Sequence, residues 1–100
     1  MKVEKIKTYV GFAIRSGEIV FGFDNIMKSK SKIKLILISS TQQEKVANKL
    51  IKYGEEKNIK VIKLNDYKVE DFTSRDNCKV IGIINYNLAE VILKELEMEN

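Results

Sequence analysis

The chain has 100 residues, of which 44% are hydrophobic and 32% are charged, and its formal net charge is +4. This length allows one domain with a real core, and the composition is that of a soluble globular protein. No apolar run approaches the ~20 residues of a membrane helix, no signal-peptide pattern opens the chain, and the single cysteine, Cys78, excludes an internal disulfide. We therefore expect residues 1–100 to form one cytoplasmic, monomeric domain without a membrane partner.

The first third of the chain is predicted to form a helix, a strand and a second helix. Gly17 is placed to close the first helix in a left-handed conformation. Residues 19–21 are predicted to form a short apolar strand, and the second helix is expected from Asp24 to Lys30, where Asp24 can serve as the N-cap. Helical spacing of apolar side chains marks the buried face of the first helix at Ile6, Tyr9, Val10, Ala13 and Ile14.

The middle of the chain predicts a strand, a helix and another strand. The continuous apolar run 35–38 is typical of a strand covered on both faces. A capping box at 41–44 is expected to open the third helix, and residues 59–64 form the next strand. The third helix is predicted to turn four apolar side chains inward, namely Val46, Ala47, Leu50 and Ile51.

The last third predicts a short helix near Val69 and Phe72, a buried strand at 80–84, and a final helix capped by Asn85 or Asn87. Alternation of helices and strands predicts an α/β fold, a three-layer α-β-α sandwich around a small four-stranded mixed sheet that is mainly parallel. Four side chains of the two continuous apolar runs should be buried, namely Leu35, Leu37, Ile81 and Ile83.

The residue types argue against catalysis by this chain. It has no histidine, so neither an imidazole base nor a Cys–His pair can form. Its five glycines lie too far apart for a phosphate loop or a dinucleotide fingerprint. Neighbouring acids such as Glu55 and Glu56 are typical of a solvated surface. We expect no enzyme activity, cofactor, metal site or small-molecule substrate.

Positive charge is concentrated in the first two thirds of the chain. Residues 1–34 carry eight Lys or Arg and three acidic residues, whereas residues 69–100 carry three and seven. Clustered cations favour polyanions such as nucleic acid. A lysine-rich solvated surface would give the same counts, so charge alone leaves both interpretations open.

The segment 22–32 is the strongest candidate for binding. A glycine ends a strand at Gly22, two polar residues follow at Asp24 and Asn25, and Lys28 lies one turn further. Lys30 and Lys32 continue the densest basic run, which could clamp phosphates or could only complement a helix C-terminus. Taken singly, Gly22 is an ordinary turn residue and Asp24 an ordinary cap, whereas together they suit RNA recognition.

The segments 13–17, 19–22 and 24–28 resemble the opening of the kink-turn RNA-binding ribosomal protein superfamily, which includes the archaeal L-seven-Ae and eukaryotic L-thirty-e proteins. The similarity continues through 34–39, 57–61 and 80–93 and therefore spans nearly the whole chain. It is strongest to the short bacterial YlxQ-like, ribosomal-protein-related members. The resemblance implies an α-β-α sandwich that binds kinked RNA without catalysis.

The resemblance also implies which loops bind RNA. In the first loop Gly22 and Lys28 match the family pattern, whereas Asp24 replaces an amide or a cation and Asn25 replaces a longer polar side chain. The second loop precedes the last strand, lacks the two glycines of the pattern, and offers Ser74, Arg75 and Asn77.

Two functions follow from these features. The first is a ribosome-associated protein that binds structured RNA, either ribosomal RNA or a kink-turn, with Lys7 or Arg15 adding phosphate contacts. The alternative is a protein-interaction module that has the same fold but has lost RNA binding. Asp24 and the polar second loop favour this alternative.

Overall fold

In the computed structural model, the chain is described from residue 2 to residue 98, apart from the side chain of Lys2. Within these described residues, nine helices and strands alternate in the predicted order. Their bounds are α1 (Lys2–Ser16), β1 (Ile19–Phe21), α2 (Phe23–Lys28), β2 (Leu35–Ile38), α3 (Glu44–Lys57), β3 (Lys60–Lys63), α4 (Glu70–Thr73), β4 (Val80–Ile83) and α5 (Tyr86–Glu97).

The four strands form one mixed sheet in the order β1-β4-β2-β3. β1, β2 and β3 run in the same direction, and β4, which lies between β1 and β2, runs against both neighbours. Only the β2–β3 pair is parallel, so the expectation of a mainly parallel sheet was wrong. Hydrophobic runs identify strands but carry no information on strand direction, which the connections set. We call the end where β1, β2 and β3 finish the carboxyl end of the sheet, and the other its amino end.

Helices cover both faces of the sheet and give the three layers. On one face, α1, α4 and α5 pack on side chains such as Leu35, Leu37 and Ile81. On the other, α2 and α3 pack on Ile36 and Ile38. All residues of β2 and β4 are buried, as continuous apolar runs predict. Burial of the four marker side chains is thereby confirmed, with Leu35, Leu37, Ile81 and Ile83 each at most 1% exposed.

The predicted caps of the helices were confirmed in part. Gly17 follows α1 with a φ of +72°, as expected of a left-handed cap. The Asn85 side chain caps α5 by accepting a 2.9 Å hydrogen bond from the Leu88 N–H. The capping box was wrong, because α3 begins at Glu44 with Gln43 as N-cap, and the Gln43 side chain makes no capping hydrogen bond.

The third helix is also rotated from its predicted orientation. Ala47, Leu50 and Gly54 are its buried residues, whereas Ile51 is 39% exposed rather than inward. Gly54 explains the rotation, because a Cβ atom there would overlap the Val61 side chain and lie 2.7 Å from the Ile59 carbonyl oxygen. The helix therefore approaches β3 along its glycine, and Ile51 falls at the margin of the contact.

Among the described residues, none of the helices combines the length and the apolar character that crossing a bilayer requires.

Candidate nucleic-acid interface

The first predicted loop is a tight turn between β1 and α2. Gly22 has φ +87° and ψ 155°, a backbone region that essentially only glycine occupies. Its N–H donates to the Val80 carbonyl at 2.9 Å, and its carbonyl accepts from the Ile26 N–H at 3.0 Å. The glycine is thus required by the backbone, and it fixes α2 against the start of β4.

The solvent face of α2 presents three of the predicted site residues. Asp24, Asn25 and Lys28 are exposed, whereas Ile26 is fully buried. The helix begins at Phe23 with Gly22 as N-cap, so Asp24 is not the cap; it lies in the first turn. Asp24 and Lys28 are four residues apart and share one helix face. The Asn25 amide donates to the Phe21 carbonyl at 2.9 Å, which leaves its Oδ1 and one N–H for a ligand.

The second predicted loop lies beside the first. β4 is antiparallel to β1, and Phe21 pairs with Ile81, so the segment before β4 meets the segment after β1. Ser74 and Asn77 hold positive φ angles of 60° and 62°, and both are exposed. The Arg75 guanidinium lies over the Phe21 ring, 3.8 Å from its centroid, a cation–π contact that joins the two loops.

A groove of about 260 Å³ separates the two loops, and Phe21, Gly22, Arg75 and Asn77 are among its lining residues. A second groove of about 400 Å³ runs between α1 and α4 and ends at Ser74. Its lining includes Lys7 and Arg15. We call the surface formed by 22–28, 74–78 and this second groove the loop surface.

Lys30 and Lys32 do not belong to the loop surface. The helix α2 ends at Lys28 and has led the chain back toward the amino end of the sheet, where β2 begins. Lys30 lies in the connection that follows, and Lys32 lines a different cavity beside Leu35 and Lys60. Lys28 and Lys32 would have shared a helix face only if α2 continued past Lys28.

Two aromatic side chains that contact arginines of the loop surface were not singled out from the sequence. Phe21 supports Arg75, and Phe12, which is 46% exposed, lies under the Arg15 guanidinium at 4.8 Å from its ring centroid. The spacing of Phe12 and Arg15, three residues apart on one helix, was a usable signal for the second contact. No local pattern could have joined Phe21 to Arg75.

Cys78 closes the groove between the loops and is half-buried, and its Sγ donates to the Val80 carbonyl at 3.5 Å. Burial raises the pKa of the Cys78 thiol and outweighs the Val80 hydrogen bond and the Arg75 charge, which lower it. The thiolate is the reactive form, and a raised pKa reduces its fraction at any given pH.

We therefore expect iodoacetamide to alkylate Cys78 in the native protein more slowly than in the urea-unfolded chain at about pH 8, just below the ordinary thiol pKa. Mass spectrometry of timed samples measures both rates. Equal rates in the two states would contradict the assignment of a half-buried thiol with a raised pKa.

No family model and no curated protein matches this sequence. A solved structure with the same fold is that of a protein of unknown function from Bacillus halodurans. It matches with a TM-score of 0.83 and 17% identity, over 93% of this chain and 97% of that chain. At this identity the likeness establishes the α-β-α fold and nothing further.

Proposed function

We propose that this chain is a non-catalytic, cytoplasmic RNA-binding protein, associated with ribosomes, that recognises a kinked or structured RNA as a monomer at the loop surface. The observation that carries the proposal is the meeting of 22–28 and 74–78 at one end of the sheet. These segments are 46 residues or more apart in sequence, and the resemblance to kink-turn binders implies both of them as RNA contacts.

The chemistry of the loop surface suits an RNA ligand. Lys28, Arg15 and Lys7 offer cations for phosphates, contacts that supply affinity without reading sequence. Asn25 and Asn77 offer amide groups for base edges, and Arg75 can stack on a base as it does on Phe21. Asp24 can accept a hydrogen bond from a guanine or cytosine amino group.

The protein-interaction alternative is favoured by the acidic residues of the same surface. Asp24 and Asp76 are exposed, and Asp76 is next to Arg75 in the lining of the groove. Carboxylates there reduce the local positive potential, which weakens attraction for phosphates. In that case the ligand would be a partner protein, whose basic side chains would pair with these carboxylates.

A direct binding experiment separates the two functions. Filter binding or fluorescence anisotropy is measured against a panel of kink-turn RNAs and ribosomal RNA fragments, over a series of salt concentrations. Binding to structured RNA with a negative salt slope supports the proposal. Absence of binding to every RNA at low salt contradicts it and favours the protein partner.

Lys28→Ala is the first variant to test at the loop surface. We expect weaker binding across RNA sequences and a salt slope smaller by about 1, because one phosphate contact is lost. Lys45→Ala is the matched control, since it removes the same charge from the exposed first turn of α3. An unchanged salt slope for Lys28→Ala would move the phosphate contact elsewhere.

A further inference from the structure

A cavity of about 640 Å³, separate from the two grooves described above, lies at the amino end of the sheet, remote from the loop surface. Four parts of the chain line it: the α2–β2 connection, the last turn of α3, the first residues of β3 and the first two turns of α5. Its volume falls within the ~300–1,000 Å³ that is usual for small-molecule sites. We call it the amino-end cavity.

Lysine dominates the charge around this cavity. Lys32, Lys34, Lys57 and Lys60 line it, all four are exposed, and Glu90 is the one acidic residue in the lining. In the described part of the chain, no carboxylate forms an ion pair with any of these four ammonium groups. Lysines from three separate segments thus converge without acidic partners, which creates a positive potential that a bound anion would relieve.

The floor and rim of the cavity are apolar and aromatic. Ile33 and Leu35 are buried beneath it, and Leu93 adds apolar surface. Tyr86, in the first turn of α5, is 61% exposed at the rim, and Tyr53 is half-buried. An exposed aromatic ring beside cations is the combination that nucleic-acid binders use to stack a base and hold its phosphate.

We infer that the amino-end cavity binds a nucleotide, with the lysines on its phosphates and Tyr86 against its base. Ser29, Ser31 and Asn58 also line the cavity and provide polar partners for a ribose. An acidic peptide could pair with the lysines, but an extended chain would not fill a concave cavity of the size of one small ligand. The nucleotide can be free or can be one unit of an RNA strand. This inference does not rest on the loop surface, because no residue is shared.

Calorimetric titration of the full chain tests the inference with five probes: adenosine triphosphate, guanosine triphosphate, inorganic pyrophosphate, a short single-stranded oligonucleotide and an oligoglutamate peptide. We expect the nucleotides to bind roughly tenfold more tightly than pyrophosphate, because stacking on an aromatic ring adds affinity. Tyr86→Ala should reduce nucleotide affinity to that of pyrophosphate. Binding of free triphosphates assigns the site to free nucleotides, whereas oligonucleotide binding alone assigns it to RNA; either supports the inference.

Paired lysine variants supply the control. Lys34→Ala/Lys60→Ala should weaken nucleotide binding roughly tenfold, whereas Lys45→Ala/Lys49→Ala removes the same charge from the exposed face of α3 and should leave it unchanged. Circular dichroism checks that all variants fold. Equal losses in the two pairs, equal affinity for pyrophosphate and nucleotides, no binding of any nucleotide probe, or preference for an acidic peptide would each overturn the inference. Failure of kink-turn binding at the loop surface would leave these results intact.

Discussion

Gly54→Ala is expected to lower the free energy of unfolding by about 2 kcal/mol, within the range for overpacked cores. The added methyl group would overlap the Val61 side chain and lie 2.7 Å from the Ile59 carbonyl oxygen. That carbonyl is part of the turn in which the Ile59 N–H donates to the Gly54 carbonyl at 2.8 Å, so it cannot move freely. The clash must exceed the ~1 kcal/mol that alanine gains over glycine inside a helix.

Gly11→Ala in α1 is the matched control. The nearest atom to a Cβ there is Nη1 of Arg15, at 3.5 Å, and that side chain is flexible and exposed. The helix-propensity gain should then appear alone, as an increase in the free energy of unfolding of up to ~1 kcal/mol. Urea denaturation with a constant m-value measures both variants. A midpoint that rises for Gly54→Ala as it does for Gly11→Ala would contradict the close approach of α3 to β3.

Asp24→Asn is expected to strengthen binding to a standard kink-turn RNA by roughly tenfold. The change removes a negative charge from the face of α2 that carries Lys28, and it supplies an amide that can donate to a base. Repulsion between a carboxylate and a phosphate at close range is worth ~1 kcal/mol or more at a protein surface. The proposed RNA contact therefore gains both charge and hydrogen-bonding capacity.

The fold should tolerate this change with little loss. Asp24 makes no capping hydrogen bond, because Gly22 is the N-cap of α2. The loss is limited to the favourable placement of an acid in the first helical turn, worth ~0.3–1 kcal/mol. Fluorescence anisotropy and thermal denaturation measure the two effects separately. Weaker RNA binding by Asp24→Asn would identify Asp24 as a specific RNA contact. If neither the unchanged protein nor Asp24→Asn binds RNA, the alternative of a protein partner is favoured. Asp76→Asn is the companion variant, since it removes a charge from the second loop.

The sequence predicted the kind and order of the elements, because each strand and helix carries its own hydrophobic pattern. β1 and β2 have the predicted bounds, and β4 is one residue shorter than predicted. The rotation of α3 could not be read from the pattern. It depends on the contact between Gly54 in α3 and Val61 in β3, which a local pattern does not show. Ile51 fits the helical spacing of apolar residues and was therefore predicted to face inward.

The candidate site was predicted residue by residue but not as a geometry. Gly22 is identifiable because a glycine that ends an apolar run is typical of a turn, and Asn25 and Lys28 follow from helical spacing. Arg75 reaches Phe21 because β4 is antiparallel to β1. The sequence pattern predicted a mainly parallel sheet, so it did not predict this contact. Lys32 was grouped with Gly22 because the two are close in sequence, whereas the end of α2 at Lys28 carries it to the amino end.

The central position of β4 also determines when the sheet can form during synthesis. β1 has β4 as its one strand neighbour, and β2 has β4 on one side, yet β4 is the last strand to be made. Pairing of Val20 with Gly82 closes a loop of about sixty residues, a cost that grows with loop length. A nascent chain that ends before Val80 therefore holds β1 unpaired and leaves one edge of β2 open. The fold is completed only when its last strand inserts between two strands made much earlier.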